Sequence, residues 1–208
     1  GVLSVVNPGL SGIDTFRHFR ALDVSRISFL LPDVSHDSKE RFYGGHGPTP
    51  VADFLIPIFN DWFKADDPDL RVQPFWSLLR MMMGGKSDTD AFGNPAMSYL
   101  IVETDGSIRA LDALRVCEEG IDDSGLNVRE HGFDELPSGM PLVHELIQGD
   151  IPLPDGCRSC PERRICGGGY LPHRYSREDG FDNPSVWCAD ILALLDCMRA
   201  SIRDATAA

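Results

Sequence analysis

The chain has 208 residues, of which 42% are hydrophobic and 25% charged, which is ordinary for a globular protein with a sizeable buried core. Its formal net charge of −13 argues against non-specific binding to nucleic acid or to an anionic membrane surface. No apolar run approaches the roughly 20 residues that span a bilayer, so we expect no membrane partner. Four of the six cysteines form one constellation, which favours a reducing cytoplasm over a secreted disulfide scaffold.

The first part of the chain alternates strand and helix patterns. Residues 2–6 and 27–31 are short apolar runs, each followed by a proline-containing turn, and residues 13–22 between them show a helical apolar face. This order predicts a β-α-β unit with parallel strands. The pattern continues with a helix that Thr49 and Pro50 open, a strand and a second helix, at 50–63, 70–75 and 77–83.

Two polar residues, Asp33 and His36, come directly after the strand at 27–31. In barrel-like α/β folds, polar groups beyond the C-terminal end of a strand face the active site. Asp33 and His36 are therefore candidates for contacts with a substrate or cofactor. A turn-forming aspartate and a surface histidine explain the same residues equally well.

The pattern changes near residue 96. Asp105-Gly106 joins two apolar runs and predicts a β-hairpin, whereas residues 118–139 have the composition of a long irregular loop. A short helix is predicted at 141–147 and an amphipathic helix at 186–202. Because the stretch before the hairpin is polar and rich in glycine, we predict two domains, 1–90 and 91–208.

The most informative motif is a group of three cysteines, Cys157, Cys160 and Cys166, with the spacing C-x2-C-x5-C. Two residues between thiols let both sulfurs of a tight turn converge on one ion or cluster. The glycines at 167–169 let the backbone pass close to a bulky group. Thiolates select zinc or iron–sulfur over magnesium or calcium. A fourth thiol, Cys188, lies in the first turn of the predicted final helix, where N–H groups favour an anion.

Three chemistries compete for these cysteines. Disulfides are disfavoured, because adjacent C-x2-C thiols rarely form a structural bridge and the chain shows no secretory segment. A structural zinc site would also use a C-x2-C turn. Zinc sites usually present a second close pair of ligands, however, whereas the fourth thiol here is a single distant cysteine. An iron–sulfur cluster tolerates a remote fourth cysteine such as Cys188, so we rank it ahead of zinc.

Residues 157–188, CRSCPERRICGGGYLPHRYSREDGFDNPSVWC, resemble the SPASM-type auxiliary-cluster region of radical S-adenosylmethionine (SAM) peptide maturases. The resemblance is closest to enzymes that cross-link side chains of ribosomally made peptides, including cyclophane-forming members. The blocks VVNPG, FLLPDVSHD and ETDGSIRALDALRVC also resemble those proteins. The resemblance implies an α/β fold: the last strands and helices of a partial (β/α) barrel, then a small loop-rich SPASM-like domain with a β-hairpin and a C-terminal helix.

The resemblance also implies a function and its cofactors. One auxiliary [4Fe–4S] cluster would bind to Cys157, Cys160, Cys166 and Cys188, with Cys117 as an alternative ligand. The substrate would be a precursor peptide. SAM and a second [4Fe–4S] cluster would bind only to a radical SAM N-terminal half, because the sequence lacks the C-x3-C-x2-C motif that cleaves SAM. We therefore expect a cytoplasmic C-terminal portion of such an enzyme, or a stand-alone derivative, that is inactive alone in SAM cleavage.

The sequence departs from the family pattern in its cysteine count. Full SPASM regions carry seven cysteines for two clusters, and Tyr170 stands here where one of them is expected. With Cys117 alone in the hairpin region, we expect one cluster. Cys197 is interpreted as a small buried hydrophobic residue and His173 as a packing or hydrogen-bonding residue. The alternative function is a non-catalytic, metal-stapled module, with iron–sulfur or zinc, that binds a peptide along the hairpin edge.

Overall fold

The structure is a computed structural model that describes residues 1–96, 99–136 and 151–207, so the helix predicted at 141–147 lies outside the described residues. The chain forms two compact units. The first unit contains Gly1–Pro32, Lys39–Asp88 and Val186–Ala208, and the second contains Asp33–Ser38 and Thr89–Ser185. The second of the two predicted domains, 91–208, thus contributes to both units. The division into a barrel portion and an auxiliary-cluster domain stays a prediction.

In chain order, the strands and α-helices are β1 (Val2–Val5), α1 (Gly12–Arg20), β2 (Arg26–Leu30), α2 (Lys39–Tyr43), α3 (Pro50–Ala65), β3 (Arg71–Gln73), α4 (Phe75–Met82), β4 (Ile101–Val102), β5 (Ser107–Arg109), β6 (Asp123–Asn127), α5 (Asp155–Arg158), α6 (Arg163–Cys166) and α7 (Cys188–Ala207). Short 3₁₀ helices cover Asp112–Val116, Phe133–Glu135 and Leu171–Arg174. In the described part of the chain, none of the helices is long and apolar enough to cross a bilayer.

The first unit is built on a three-stranded parallel sheet with the order β1-β2-β3. Ile27 of β2 lies between Val2 of β1 and Val72 of β3, and both Ile27 and Val72 are buried. Helices α1 and α3 pack together, and α3 also packs against α7. The parallel strands and intervening helices that the apolar runs predicted are therefore confirmed.

On the opposite face of this sheet, three apolar side chains are exposed in the described part of the chain. Because side chains alternate along a strand, Leu3, Val5 and Leu30 point away from the buried side. They are 68%, 55% and 42% exposed. Parallel sheets are normally covered on both faces, and the apolar side chains on this face are typical of a covered one.

The second unit contains an antiparallel sheet with the order β4-β5-β6. The predicted hairpin is confirmed: Glu103 N–H donates to Ser107 O at 2.9 Å across the Asp105-Gly106 turn. The expectation of an irregular loop at 118–139 is wrong in part, because β6 pairs with β5 there. The fully buried Asp122 stabilises this pairing by accepting a hydrogen bond from Arg109 Nη1 at 3.2 Å.

Candidate metal centre

Three of the four predicted ligands lie in one segment of the second unit, which we call the cysteine segment (residues 155–169). Cys157 lies in α5, and Cys160 follows that helix with its N–H donating to Cys157 O at 3.1 Å. Cys166 is the last residue of α6, and its N–H donates to Glu162 O at 2.8 Å. Each thiol of the C-x2-C-x5-C motif is thus carried by a short helical turn or by the residues directly after one.

The three glycines that follow Cys166 are required by their conformation. Gly167, Gly168 and Gly169 have φ angles of 65°, 80° and 76°, in the left-handed region that favours glycine. At Gly167 space is also limited, because a Cβ atom would lie 2.4 Å from the backbone nitrogen of Asn94. The neighbouring Gly93 N–H donates to Cys166 O at 3.1 Å. The chain at 93–94 therefore passes directly against the end of the cysteine segment.

Arg174 lies at the centre of this arrangement and is fully buried. Its Nη2 donates to Gly167 O at 2.6 Å and to Gly169 O at 3.2 Å, both in the cysteine segment. The same nitrogen donates to Asn94 Oδ1 at 2.9 Å, and Nη1 donates to Pro152 O at 3.3 Å. The glycine backbone thus folds around one guanidinium group.

The electrostatic environment of Arg174 is unusual for a buried cation. All of its described hydrogen bonds end on uncharged oxygens, and its Nε has no hydrogen-bond partner among the described residues. Burial lowers the pKa of Arg174, whereas Cys157 and Cys166, when they are ionised, raise it. An anionic group held by these thiols would supply the missing countercharge, so the charge balance and the donor atoms present fit a thiolate-bound cluster.

The fourth predicted ligand, Cys188, is the first residue of α7 in the first unit. The residues before it are fixed within that unit. Trp187 is fully buried and its Nε1 donates to Pro32 O at 3.0 Å. Lys39 Nζ lies 4.8 Å from the Trp187 ring and donates to Val186 O at 2.7 Å. Neither Trp187 nor Lys39 stood out in the sequence, because their partners are distant along the chain.

Among the described residues, no three His, Cys, Asp or Glu side chains form a group that could hold a metal ion as the structure stands. The four-cysteine ligand set stays a prediction.

The remaining cysteines have environments that favour the neutral thiol. Cys117 is buried, and its Sγ donates to Pro172 O at 3.5 Å. Burial, with the nearby carboxylates of Asp33 and Asp37, raises the pKa of Cys117 to about 12. Cys197 is partly buried, and burial raises its pKa as well. The roles predicted for Cys117, as an alternative ligand, and for Cys197, as a small buried hydrophobic residue, stay predictions.

Asp33 and His36, the predicted contacts with a cofactor or substrate, lie together in the short stretch that belongs to the second unit. His36 Nε2 is 2.8 Å from Pro184 O, and its backbone N–H donates to Tyr175 O at 2.9 Å. Asp33 Oδ1 lies 3.6 Å from Nε2 of the buried His173. These contacts join the stretch to the rest of the unit. A role for Asp33 and His36 in binding a cofactor stays a prediction.

Comparison with solved structures defines the class of fold: it is that of the C-terminal part of a radical SAM/SPASM enzyme. The chain aligns with native anSMEcpe with bound AdoMet and Kp18Cys peptide at a TM-score of 0.76 and 21% identity, covering 98% of this chain and 56% of that one. Native anSMEcpe with bound AdoMet and Cp18Cys peptide gives a TM-score of 0.76 at 20% identity, with the same coverage. The fold predicted from the resemblance is confirmed.

The sequence comparison also finds relatives. The chain is 22% identical over 176 residues to the cysteine-type anaerobic sulfatase-maturating enzyme of Clostridium perfringens strain 13, a match that covers 83% of this chain and 46% of that protein. The same enzyme of strain ATCC 13124 gives the same identity and coverage. The chain therefore spans about half the length of the curated relatives that it matches. No family model matches the chain.

Proposed function

We propose that this chain is the auxiliary-cluster portion of a radical SAM/SPASM enzyme that modifies a ribosomally made precursor peptide by cross-linking its side chains. One [4Fe–4S] cluster would be held by Cys157, Cys160, Cys166 and Cys188. The observation that supports it most is the buried guanidinium of Arg174, which donates to the glycine backbone directly after Cys166 and has no charged partner among its described hydrogen bonds.

When bound, such a cluster supplies one-electron redox capacity. The chain's own residues hold and orient the thiols. The turns α5 and α6 set the spacing of the three clustered cysteines, and Gly167 closes α6 in the left-handed conformation. The buried tryptophan Trp187 anchors the backbone just before Cys188. The cysteine segment has few apolar residues, so metal binding would also offset part of the entropy cost of ordering it.

The exposed apolar side chains of the parallel sheet support the proposed partner. Leu3, Val5 and Leu30 expose apolar surface on a type of sheet that is normally covered on both faces. We propose that a radical SAM N-terminal half covers this face and carries the C-x3-C-x2-C motif, with SAM and the second cluster. A substrate peptide is proposed because anSMEcpe binds the Kp18Cys and Cp18Cys peptides. The cross-linking reaction is proposed from the sequence resemblance.

The proposed division of labour is tested by SAM cleavage. Incubated with SAM and a strong reductant, the chain alone should give no 5′-deoxyadenosine. Reductive cleavage needs a cluster with an open iron, and four cysteine thiols close all four irons of one cluster. A polypeptide that carries the C-x3-C-x2-C half should give cleavage when assayed with this chain, and the reconstituted pair should modify a peptide, detected by mass spectrometry. Formation of deoxyadenosine by the chain alone, above a metal-free control, would contradict the ligand assignment.

A further inference from the structure

We infer that Arg174 is a positioning residue for the auxiliary cluster that sets its reduction potential, by holding a fixed positive charge against the glycine backbone that directly follows the Cys166 ligand. The inference rests on the proposed function, because it requires a cluster at these thiols. It goes beyond that function because it assigns control of the cluster's reduction potential to one side chain.

The first argument is the cost of burying this charge. A buried guanidinium loses the hydration that an exposed one keeps, and proteins normally compensate with a paired carboxylate. The described hydrogen bonds of Arg174 end instead on the carbonyls of Pro152, Gly167 and Gly169 and on the side-chain oxygen of Asn94. Its Nε–H has no partner among the described residues. The described hydrogen bonds of Arg174 therefore include none to an anion, and a cluster bound to the cysteine segment would supply one.

The second argument is that the guanidinium cannot move away. Two carbonyls of the glycine run hold Nη2, at 2.6 Å from Gly167 O and 3.2 Å from Gly169 O. A Cβ atom on Gly168 would lie 3.0 Å from Arg174 Cζ, so the backbone at Gly168 lies close against the guanidinium group. A side chain at Gly168 would displace that group. The glycine run therefore fixes the position of the charge relative to Cys166, which directly precedes it.

The consequence for redox chemistry follows from Coulomb's law. A cluster gains one negative charge on reduction, and a positive charge held nearby in a region of low dielectric constant stabilises the reduced state more than the oxidised state. Net charge and hydrogen bonds to the sulfurs are among the determinants of iron–sulfur potentials, with cluster type and solvent exposure. Arg174 should therefore raise the midpoint potential above that of the same cluster without this charge.

The test is a redox titration, followed by electron paramagnetic resonance, of the anaerobically reconstituted chain. Arg174→Gln should lower the midpoint potential by about 59 mV or more, which is a tenfold change in the ratio of reduced to oxidised cluster for one electron. Arg174→Lys keeps the charge and should lie between Gln and the parent chain. Arg163→Gln, which removes an exposed charge from the same segment, should leave the potential unchanged.

A second variant keeps the arginine in place. Asn94→Asp puts a carboxylate against Arg174 and neutralises its charge, so the potential should again fall. If Arg174→Gln takes up no iron, Asn94→Asp tests the effect of the Arg174 charge on the potential instead. If Arg174→Gln binds a cluster and keeps the parent potential, the inference is overturned and the proposed function is not. If Arg174→Gln binds no cluster, the parent potential in Asn94→Asp overturns the inference in the same way. A parent chain that takes up no iron–sulfur cluster would instead overturn the proposed function, and the inference with it.

Discussion

Asp190 Oδ1 accepts a hydrogen bond from Val51 N–H at 2.7 Å, and the same oxygen accepts one from Ala52 N–H at 3.0 Å. Val51 and Ala52 lie in the first turn of α3, whose N–H groups have no partner within the helix. Asp190 lies in the first turn of α7. One carboxylate of the C-terminal helix therefore caps another helix, and Thr49, the residue in the N-cap position, makes no capping hydrogen bond.

Replacing Asp190 with alanine should destabilise the first unit by about 1–2 kcal/mol, because two buried N–H groups lose their acceptor. Urea unfolding followed by tryptophan fluorescence measures the change. Asp196→Ala removes an exposed carboxylate from the same helix and should change the free energy of unfolding by less than about 0.5 kcal/mol. Thr49→Ala should also have a small effect. If Thr49→Ala were as costly as Asp190→Ala, the capping role assigned to Asp190 would be wrong.

A glycine of the run at 167–169 and a glycine outside that run allow a matched pair of substitutions. Gly167→Ala and Gly120→Ala each place a side chain at positive φ, 65° and 81°. At Gly120 a Cβ would meet nothing within 4 Å, so only the backbone strain of about 1–2 kcal/mol is expected. At Gly167 the new atom would clash with the backbone of Gly93 and Asn94. We predict a loss above about 3 kcal/mol there, measured by urea unfolding followed by circular dichroism. Equal losses would show that the close approach is not rigid.

The buried thiol of Cys117 predicts a pH dependence. Its folded-state pKa of about 12 exceeds the ordinary value of 9.0, so folding favours the protonated thiol. The stability that this provides is fully present below about pH 9 and is lost as the pH rises toward 12. The free energy of unfolding, measured at intervals above pH 8, should fall less steeply in Cys117→Ala than in the parent chain. Identical slopes between pH 9 and 10 would contradict the burial of this thiol in a neutral state.

The elements that the sequence predicted correctly depend on short-range signals. The apolar β-branched runs became β1 and β2, and Asp105-Gly106 became the hairpin turn. Strand β6 was missed because its sequence, DSGLN, has one apolar residue and no alternation. Its pairing depends instead on the buried Asp122, which Arg109 and Arg115 neutralise. A buried aspartate cannot be distinguished in sequence from the many exposed ones in a chain of net charge −13.

The C-x2-C-x5-C spacing predicted the candidate site, but not how the site is supported. Asp190 and Val51 are 139 residues apart, and Arg174 and Asn94 are 80 residues apart. No periodicity or local motif links residues at such separations. The glycines at 167–169 were interpreted as room for an inorganic group, and the structure shows in addition that their carbonyls hold Arg174.

The most direct test of the central claim is the iron and sulfide content of the chain after anaerobic purification. We predict about four iron and four sulfide per chain, with the broad visible absorption of a [4Fe–4S] cluster. Cys166→Ser should lose most of this content, and Cys197→Ser should keep it. A colourless chain that binds one zinc ion tightly and no sulfide under the same conditions would contradict the claim.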